Sequence, residues 1–343
     1  MDPCDTPAST PGQSAVRDCS LFPTYLQKRL GSVRKRTSLA PSPPCRRLPQ
    51  CSRLQENVDP QRVAFLLHKQ WTLYSLTPLY KFSYSNLQDY SRLLSAFMAA
   101  EKQKGLAVAV GEDLDFRVLF SVLLGMKGTP RDSEALLIQV LSNSKLPAES
   151  KEDKVLWSGW FCCVFGDSLL ETVPEDFTCL PLFLANGAAS NTALITAWFE
   201  ETFDCFFRPL AINAFNLSWL AALWTACKVD CDVASTEFLW SVPCSPHSLD
   251  ISYAIHPEDA RALWDSVHRT PGEVTQEEVD LFTACLESHF YRHFRIHLSA
   301  TRLVRVSTSV ASAHTDGKIK ILCQKYLLGV LTYLTELAIF QIE

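Results

Sequence analysis

Apolar and polar positions change period several times along this chain, and each change predicts an element. Asp59 can accept a hydrogen bond from a helix's first free amides and Pro60 suits a first helical position, so a helix is predicted to about residue 69. Residues 71–82, rich in β-branched and aromatic side chains, are predicted extended. Leu87, Tyr90, Leu94, Phe97 and Met98 recur at helical spacing over 86–104, with Gly105 as the stop. Short apolar runs predict strands at 106–110, 116–124, 136–141, 155–165 and 180–184. Helical spacing returns over 191–207, strands are predicted at 238–242 and 251–255, and a short helix at 257–268.

Thr275 and Glu278 have the spacing of a capping box, and Glu277, Glu278 and Asp280 suit the positive end of a helix dipole. A helix is therefore predicted over 275–290, with Val279, Phe282 and Leu286 as its buried stripe. Two strands, 302–310 and 318–323, are predicted to join across a turn containing Asp316-Gly317. Residues 326–342 are so continuously apolar that helix and strand both stay open. No internal repeat is found. The expected fold class is α+β, a largely antiparallel sheet with flanking helices behind a disordered N-terminal tail. The expected organisation is a disordered basic tail at 1–55, an N-terminal α+β subdomain at 56–150 and a C-terminal α+β subdomain at 151–343. The last would carry a basic hairpin and an apolar dimerisation segment, and the polar run 142–154 marks the boundary.

Composition sharpens this picture at the two ends. The tail holds eight of the 19 prolines and few apolar side chains, too little to offset chain entropy. Its clusters Lys28-Arg29, Arg34-Lys35-Arg36 and Arg46-Arg47 read as a nuclear import signal, a phosphate-binding arm or an ordinary solvated tail. Thirteen scattered cysteines without a secretory leader suit free thiols in a reducing compartment. Residues 209–227 are uncharged, but Asn213, Asn216, Ser218 and Thr225 make them a buried core segment, and no membrane association is expected.

Charge changes sign along the chain. Residues 56–288 carry 16 basic against 31 acidic side chains. From 289 to 325 the balance reverses, with Arg292, Arg295, Arg302, Arg305, Lys318, Lys320 and Lys325 opposed by Asp316 alone. Such a block is the footprint of a polyanion partner, or else decoration of solvated strand faces. Strand alternation puts Arg302 and Arg305 on opposite faces and Lys318 and Lys320 on one. The four therefore share a flat surface only if a bulge or strong twist intervenes, and a cleft drawing on several elements fits better. The apolar C-terminal positions Tyr326, Leu327, Leu328, Val330, Leu331, Leu334, Leu337, Ile339 and Phe340 read either as core or as an interface to another chain.

The sequence carries no recognisable catalytic motif. Gly125-Met126-Lys127-Gly128-Thr129 lacks the spacing of a phosphate-cradling loop, and Trp157-Ser158-Gly159-Trp160 lacks the glycines of a nucleophile elbow. Cys227 and Cys231 have no second pair at zinc-finger spacing. His289, His293 and His297 would stack only if the helix ran that far, and they read instead as complements to its C-terminal dipole. No enzyme, cofactor or metal is expected.

The runs Lys69-Gln70-Trp71-Thr72-Leu73-Tyr74-Ser75-Leu76-Thr77-Pro78-Leu79-Tyr80, Trp160-Phe161-Cys162-Cys163-Val164-Phe165-Gly166-Asp167, Leu182-Phe183-Leu184-Ala185-Asn186-Gly187 and Leu298-Ser299-Ala300-Thr301-Arg302-Leu303-Val304-Arg305-Val306 resemble the vertebrate centromere protein L family, from about Lys28 onward. The resemblance implies a non-enzymatic nuclear subunit of the inner kinetochore, with a fold like that of a bacterial recombination-associated DNA-binding protein. It implies a heterodimer with centromere protein N, made largely through the C-terminal region. It further implies contacts with centromere protein C, with the complex of centromere proteins H, I, K and M, and with centromeric nucleosome DNA. Carried onto this chain, the pairing surface would comprise Tyr326, Leu327, Val330, Leu331, Leu334, Leu337, Ile339 and Phe340. The DNA contacts, inferred from charge alone, would be Arg302, Arg305, Lys318 and Lys320, then Arg292, Arg295 and Lys325. The alternative is a free-standing recombination-type DNA-binding protein, which would bind DNA without a partner.

Overall fold

The computed structural model describes residues 45–49, 59–103, 115–129, 132–142, 154–164, 176–229, 235–242 and 249–342. Most of the expected tail, the strand expected at 106–110, Gly105, Cys231 and nearly all of the 142–154 run lie outside the described residues. Fifteen strands are described: β1 (Cys45–Arg47), β2 (Gln70–Leu76), β3 (Leu79–Tyr80), β4 (Phe116–Leu123), β5 (Ala135–Ser142), β6 (Val155–Cys162), β7 (Phe177–Thr178), β8 (Leu182–Gly187), β9 (Phe207–Pro209), β10 (Thr236–Val242), β11 (Leu249–Ile255), β12 (Glu273–Thr275), β13 (Arg302–Ser307), β14 (Ala311–His314) and β15 (Lys318–Ile321). Seven α-helices accompany them: α1 (Pro60–Leu66), α2 (Leu87–Gln103), α3 (Ala189–Phe203), α4 (Ala214–Ala226), α5 (Pro257–Val267), α6 (Gln276–Phe294) and α7 (Leu327–Ile342).

One sheet organises the whole, in the order β11-β10-β13-β14-β15-β2-β8-β6-β5-β4, with β9 also paired to β2. Every pairing among the described strands is antiparallel, as the α+β expectation requires. The N-terminal β2 lies between the C-terminal β15 and the mid-chain β8, so strands from both sides of the 142–154 run share the sheet. Two apolar cores sandwich it. One face, with Trp71, Leu73, Trp160, Leu184, Trp240, Val306 and Ile319, packs beneath α4, α5, α6 and α7. The other face, with Phe120, Ile138, Phe161 and Phe183, packs beneath α2 and α3 through meshed aromatic rings such as the Phe161–Phe183 stack at 4.5 Å.

Local rules explain most boundaries. The Asp59 carboxylate accepts from the Gln61 amide at 3.0 Å, starting α1 as expected. The helix stops three residues early because His68 turns left-handed (φ 60°) and its N–H donates to the Ile321 carbonyl at 2.8 Å, capturing the chain at the sheet. Both halves of the Thr275–Glu278 capping box are formed. Residues 326–342 resolve as helix: α7 buries Leu327, Val330, Leu331, Leu334 and Ile339. The uncharged segment becomes the buried helix α4, and no described helix is long and apolar enough to cross a membrane.

Two expectations are corrected. The segment 302–310 is not one strand, because Thr308 reverses it: its hydroxyl accepts from the Val310 and Ala311 amides, opening a hairpin between β13 and β14. The Asp316-Gly317 turn thus joins β14 to β15, giving a three-stranded meander. Residues 45–49, expected within the disordered tail, are ordered. β1 pairs with β12, and Arg46 sits over the Tyr333 ring at 4.5 Å while bridging to Glu336. The Arg46-Arg47 pair is therefore partly a structural anchor, not only a solvated cluster.

Gly317 is held at φ 77°, and a Cβ there would sit 2.2 Å from the Leu210 carbonyl oxygen. Its own carbonyl accepts from the Leu73 amide at 2.8 Å, tying the turn to β2. Gly317→Ala is expected to cost about 1–3 kcal/mol from the backbone conformation, with the clash adding to it. A urea unfolding midpoint equal to that of the native chain, at equal slope, would contradict this account.

Candidate nucleic-acid interface

Among the described residues, helices cover the strands from β11 to β15 on one side only, since α2 and α3 pack over the β4–β8 half of the opposite face. No described helix covers the remaining half of that face. Its composition is decided by an irregularity in the β10–β13 ladder, where Leu239 pairs with Arg305 but Trp240 pairs with Leu303. Val304 is the extra residue of a bulge, and the bulge re-phases the strand. Leu303 and Val306 are both buried, while Arg302, Val304 and Arg305 turn outward together. The exception that strand alternation allowed is therefore the one realised, and the expectation of opposite faces for Arg302 and Arg305 is corrected.

Cross-strand register then assembles the face. Arg305 stands between Leu239 and His314, and the next row runs Glu237, Ser307, Ser312, Lys320 and Gln70. Lys318 stands opposite Thr72. Gln70, Arg305, Ser312, His314, Asp316, Lys318 and Lys320 line a shallow depression of about 250 Å³ in this surface. Four of the seven expected cations, Arg302 and Arg305 from β13 and Lys318 and Lys320 from β15, are thus on one face of the sheet. Sequence reasoning did not select Gln70, Ser312, His314 or Glu237. The β14 pair Ser312 and His314 could have been read from period-two alternation once the Thr308 turn was recognised; Glu237 is 68 residues from its partner Arg305 and carried no such signal.

Acids temper the charge. Glu237 pairs with Arg305 at 3.5 Å, and Asp316 contacts Lys318 at 2.6 Å and His314 at 2.7 Å. Burial alone would raise the Asp316 carboxyl, but the Lys318 hydrogen bond and His314 outweigh it and hold the group below its ordinary value. A depressed carboxylate contributes stability that is full above the ordinary value and is lost as pH falls through the depressed one. Among the described residues, Arg302 and Lys320 are exposed and make no ion pair. Exposed ion pairs contribute about 0–1 kcal/mol, so an arriving phosphate can displace Glu237 or Asp316 at small cost. The wall can therefore hold phosphates, without base-reading geometry.

The other three cations lie elsewhere. Arg292 is in the last turn of α6 and Arg295 ends that helix, on the side of the sheet away from the open face. Lys325 sits in the 3₁₀ turn that leads into α7. The histidine stack stops with the helix: His289 and His293 are 4.8 Å apart, but His297 leaves the axis and stacks on Tyr291. No cluster suited to a metal occurs among the described residues.

The expected partner surface is largely internal. Tyr326, Leu327, Val330, Leu331, Leu334 and Ile339 are buried in the chain's own core, because the helical period turns them onto the sheet. Leu337 is half-buried, and Phe340 is 57% exposed. The first turns of α7 are covered from outside by the 45–49 segment, with Pro49 against Gly329 and Arg46 against Tyr333 and Glu336. Beyond it, Gln341 exchanges hydrogen bonds with β9, through Arg208 to its carbonyl and from its amide to Pro209. Phe206, the residue before β9, is likewise exposed.

Comparison with known proteins locates this architecture. The sequence profile of the family described as Centromere protein L matches residues 65–339. Centromere protein L of Homo sapiens is 76% identical over 344 residues, covering the full length of both chains. The Bos taurus protein of the same name is 75% identical over 346 residues, again at full coverage. That of Danio rerio is 41% identical over 347 residues, covering 98% of this chain and 93% of its own.

If the bulge sets the open face, cysteines placed at 302 and 305 should react together with a charged maleimide, while cysteines at 303 and 306 stay protected. Peptide mass spectrometry after a short pulse reads this residue by residue. Protection of 302 or 305 alone would mean an unbulged strand.

Proposed function

The chain belongs to the centromere protein L family, and from that premise we propose that it is a non-enzymatic scaffold of the inner kinetochore that pairs with centromere protein N and adds phosphate contacts to DNA of the centromeric nucleosome. The observation that carries the DNA half is the face shared by Arg302, Arg305, Lys318 and Lys320, on which the Val304 bulge puts Arg302 beside Arg305 and regular β15 register puts the two lysines. A concentration of outward cations on an otherwise acidic folded region favours a polyanion over a small ligand. Contacts of this type position a duplex without reading its sequence, so specificity for the centromere comes from the assembly. Arg292, Arg295 and Lys325 lie outside this wall and are not assigned to it.

The pairing half is supported by the apolar area left near the C-terminus. Phe340 and Phe206 are exposed, and Leu337 is half-buried against the core, close to where α7 meets β9, a type of surface that a partner subunit covers. The same reading places the partner beside the sheet and leaves contacts with centromere protein C and with the complex of centromere proteins H, I, K and M to other surfaces. Nuclear and centromeric localisation follow from this role.

For DNA, Arg302→Glu with Lys320→Glu is expected to weaken duplex binding by the complex with centromere protein N and to reduce the salt slope by about 2. Asp316→Asn should act in the opposite direction, strengthening binding by freeing Lys318. It should also remove part of the acid limb of the stability profile, where protonation of the depressed carboxyl is otherwise felt. Unchanged affinity in both variants excludes the wall as a phosphate site. Equal affinity for the chain with and without its partner would favour the free-standing DNA-binding protein.

For pairing, Leu337→Glu with Phe340→Glu should abolish co-elution with centromere protein N by at least a tenfold loss of affinity, at unchanged far-ultraviolet dichroism. Substitutions at Leu331 or Leu334 cannot test this, because both are fully buried and their loss unfolds the core. Retained co-elution of the folded double variant would reject the surface.

A further inference from the structure

The end of α6 forms a second cationic feature, with a chemistry unlike the open wall. Arg295 closes the helix in the left-handed conformation (φ 58°), and the chain folds back so that His297 stacks on Tyr291 at 4.2 Å. The Arg295 guanidinium lies over the same Tyr291 ring at 5.8 Å. Phe294 packs on the buried Phe290 at 4.6 Å and yet stays 57% exposed, and Ile296 is 47% exposed. Two large apolar side chains thus project from a turn fixed by ring stacking. His293 lies 6.4 Å from Phe294, and Arg292, Arg295 and His297 are close in sequence; no acid occurs between residues 288 and 315, and Asp259 acts one turn back, on His289.

We propose that this knuckle is a docking knob for an acidic protein segment carrying large apolar side chains. The charge around it rejects basic partners on a chain whose folded region is otherwise acidic, and complements carboxylates. Exposed phenylalanine and isoleucine gain nothing from a sugar–phosphate backbone but are covered when a peptide side chain packs on them. Arginine and aromatic residues are also the types that concentrate binding energy at protein interfaces. Stacking of Tyr291, Arg295 and His297 holds the turn before any partner arrives, so little ordering cost remains. Since α6 packs on the helical side of the sheet, the knob and the open wall cannot serve one phosphate track.

The test is a random-peptide display selection on the full-length chain, followed by fluorescence anisotropy of the selected peptides and of a labelled 20-base-pair duplex. Selected peptides should alternate Asp or Glu with Leu, Ile, Phe or Trp. Ile296→Ser, Phe294→Ser and Arg292→Glu with Arg295→Glu should each weaken them at least tenfold. Ile296 lies beyond the helix end and is half-exposed, so Ile296→Ser separates lost docking from a loosened helix end; near-ultraviolet dichroism reports the latter. Duplex affinity should be unmoved by Ile296→Ser. A selection without an acidic–apolar consensus, peptides that bind the variants equally well, or a loss of duplex affinity in place of peptide affinity each overturns the proposal.

Discussion

The structure depends on one strand having two neighbours that are remote from it in sequence. β2 hydrogen-bonds β15 along one edge and β8 along the other, so the N-terminal, middle and C-terminal parts of the chain meet there. Its side chains alternate between the two cores, Trp71 and Leu73 to one side, Tyr74 and Leu76 to the other. The Trp71 indole N–H donates to the Leu66 carbonyl at 2.9 Å, anchoring the preceding helix to the same strand. Pairing across such separations is costly in loop entropy until both edges are made, which makes assembly of the sheet cooperative.

This constraint also explains why a basic surface exists at all. Helices pack against both faces of β5, β6 and β8, and those strands carry no charged residue, whereas the edge strand β4 exposes Arg117 and Leu119. Among the described residues, the β10–β15 half has helices on one side only, so its outward positions must be soluble. Mostly polar residues are expected there, with Leu239 and Val304 among them; cations are not required. The concentration of Arg302, Arg305, Lys318 and Lys320 on that half, opposed by Glu237 and Asp316, is what supports the proposal that this solvated face is a site.

The C-terminal helix answers a question that hydropathy left open. A segment as apolar as 326–342 reads equally as core or interface, and α7 is mostly core, with one strip covered by the 45–49 segment and only its last turn presenting apolar area outward. In the centromere protein L family, a partner meeting this region would therefore find a prebuilt helix end and a neighbouring strand, not a loose greasy tail.

How much of this was legible in the residues varies by element and has a physical cause. Local chemistry is written locally: the Asp59 cap, the Thr275–Glu278 box and the apolar stripe of α6 are visible in the sequence because each interaction spans a few residues. Period-two and period-3.6 patterns likewise carried the α+β class and its antiparallel character, and the charge reversal after residue 288 was a matter of counting. What the residues alone did not decide was side and neighbour. A single extra residue in β13 flips Arg302 relative to Arg305, Glu237 reaches Arg305 only across a ladder, and Leu331 proves internal only once a sheet lies beneath it. Those outcomes follow from long-range register and from which surfaces are already covered, and both exist only after the chain has closed on itself.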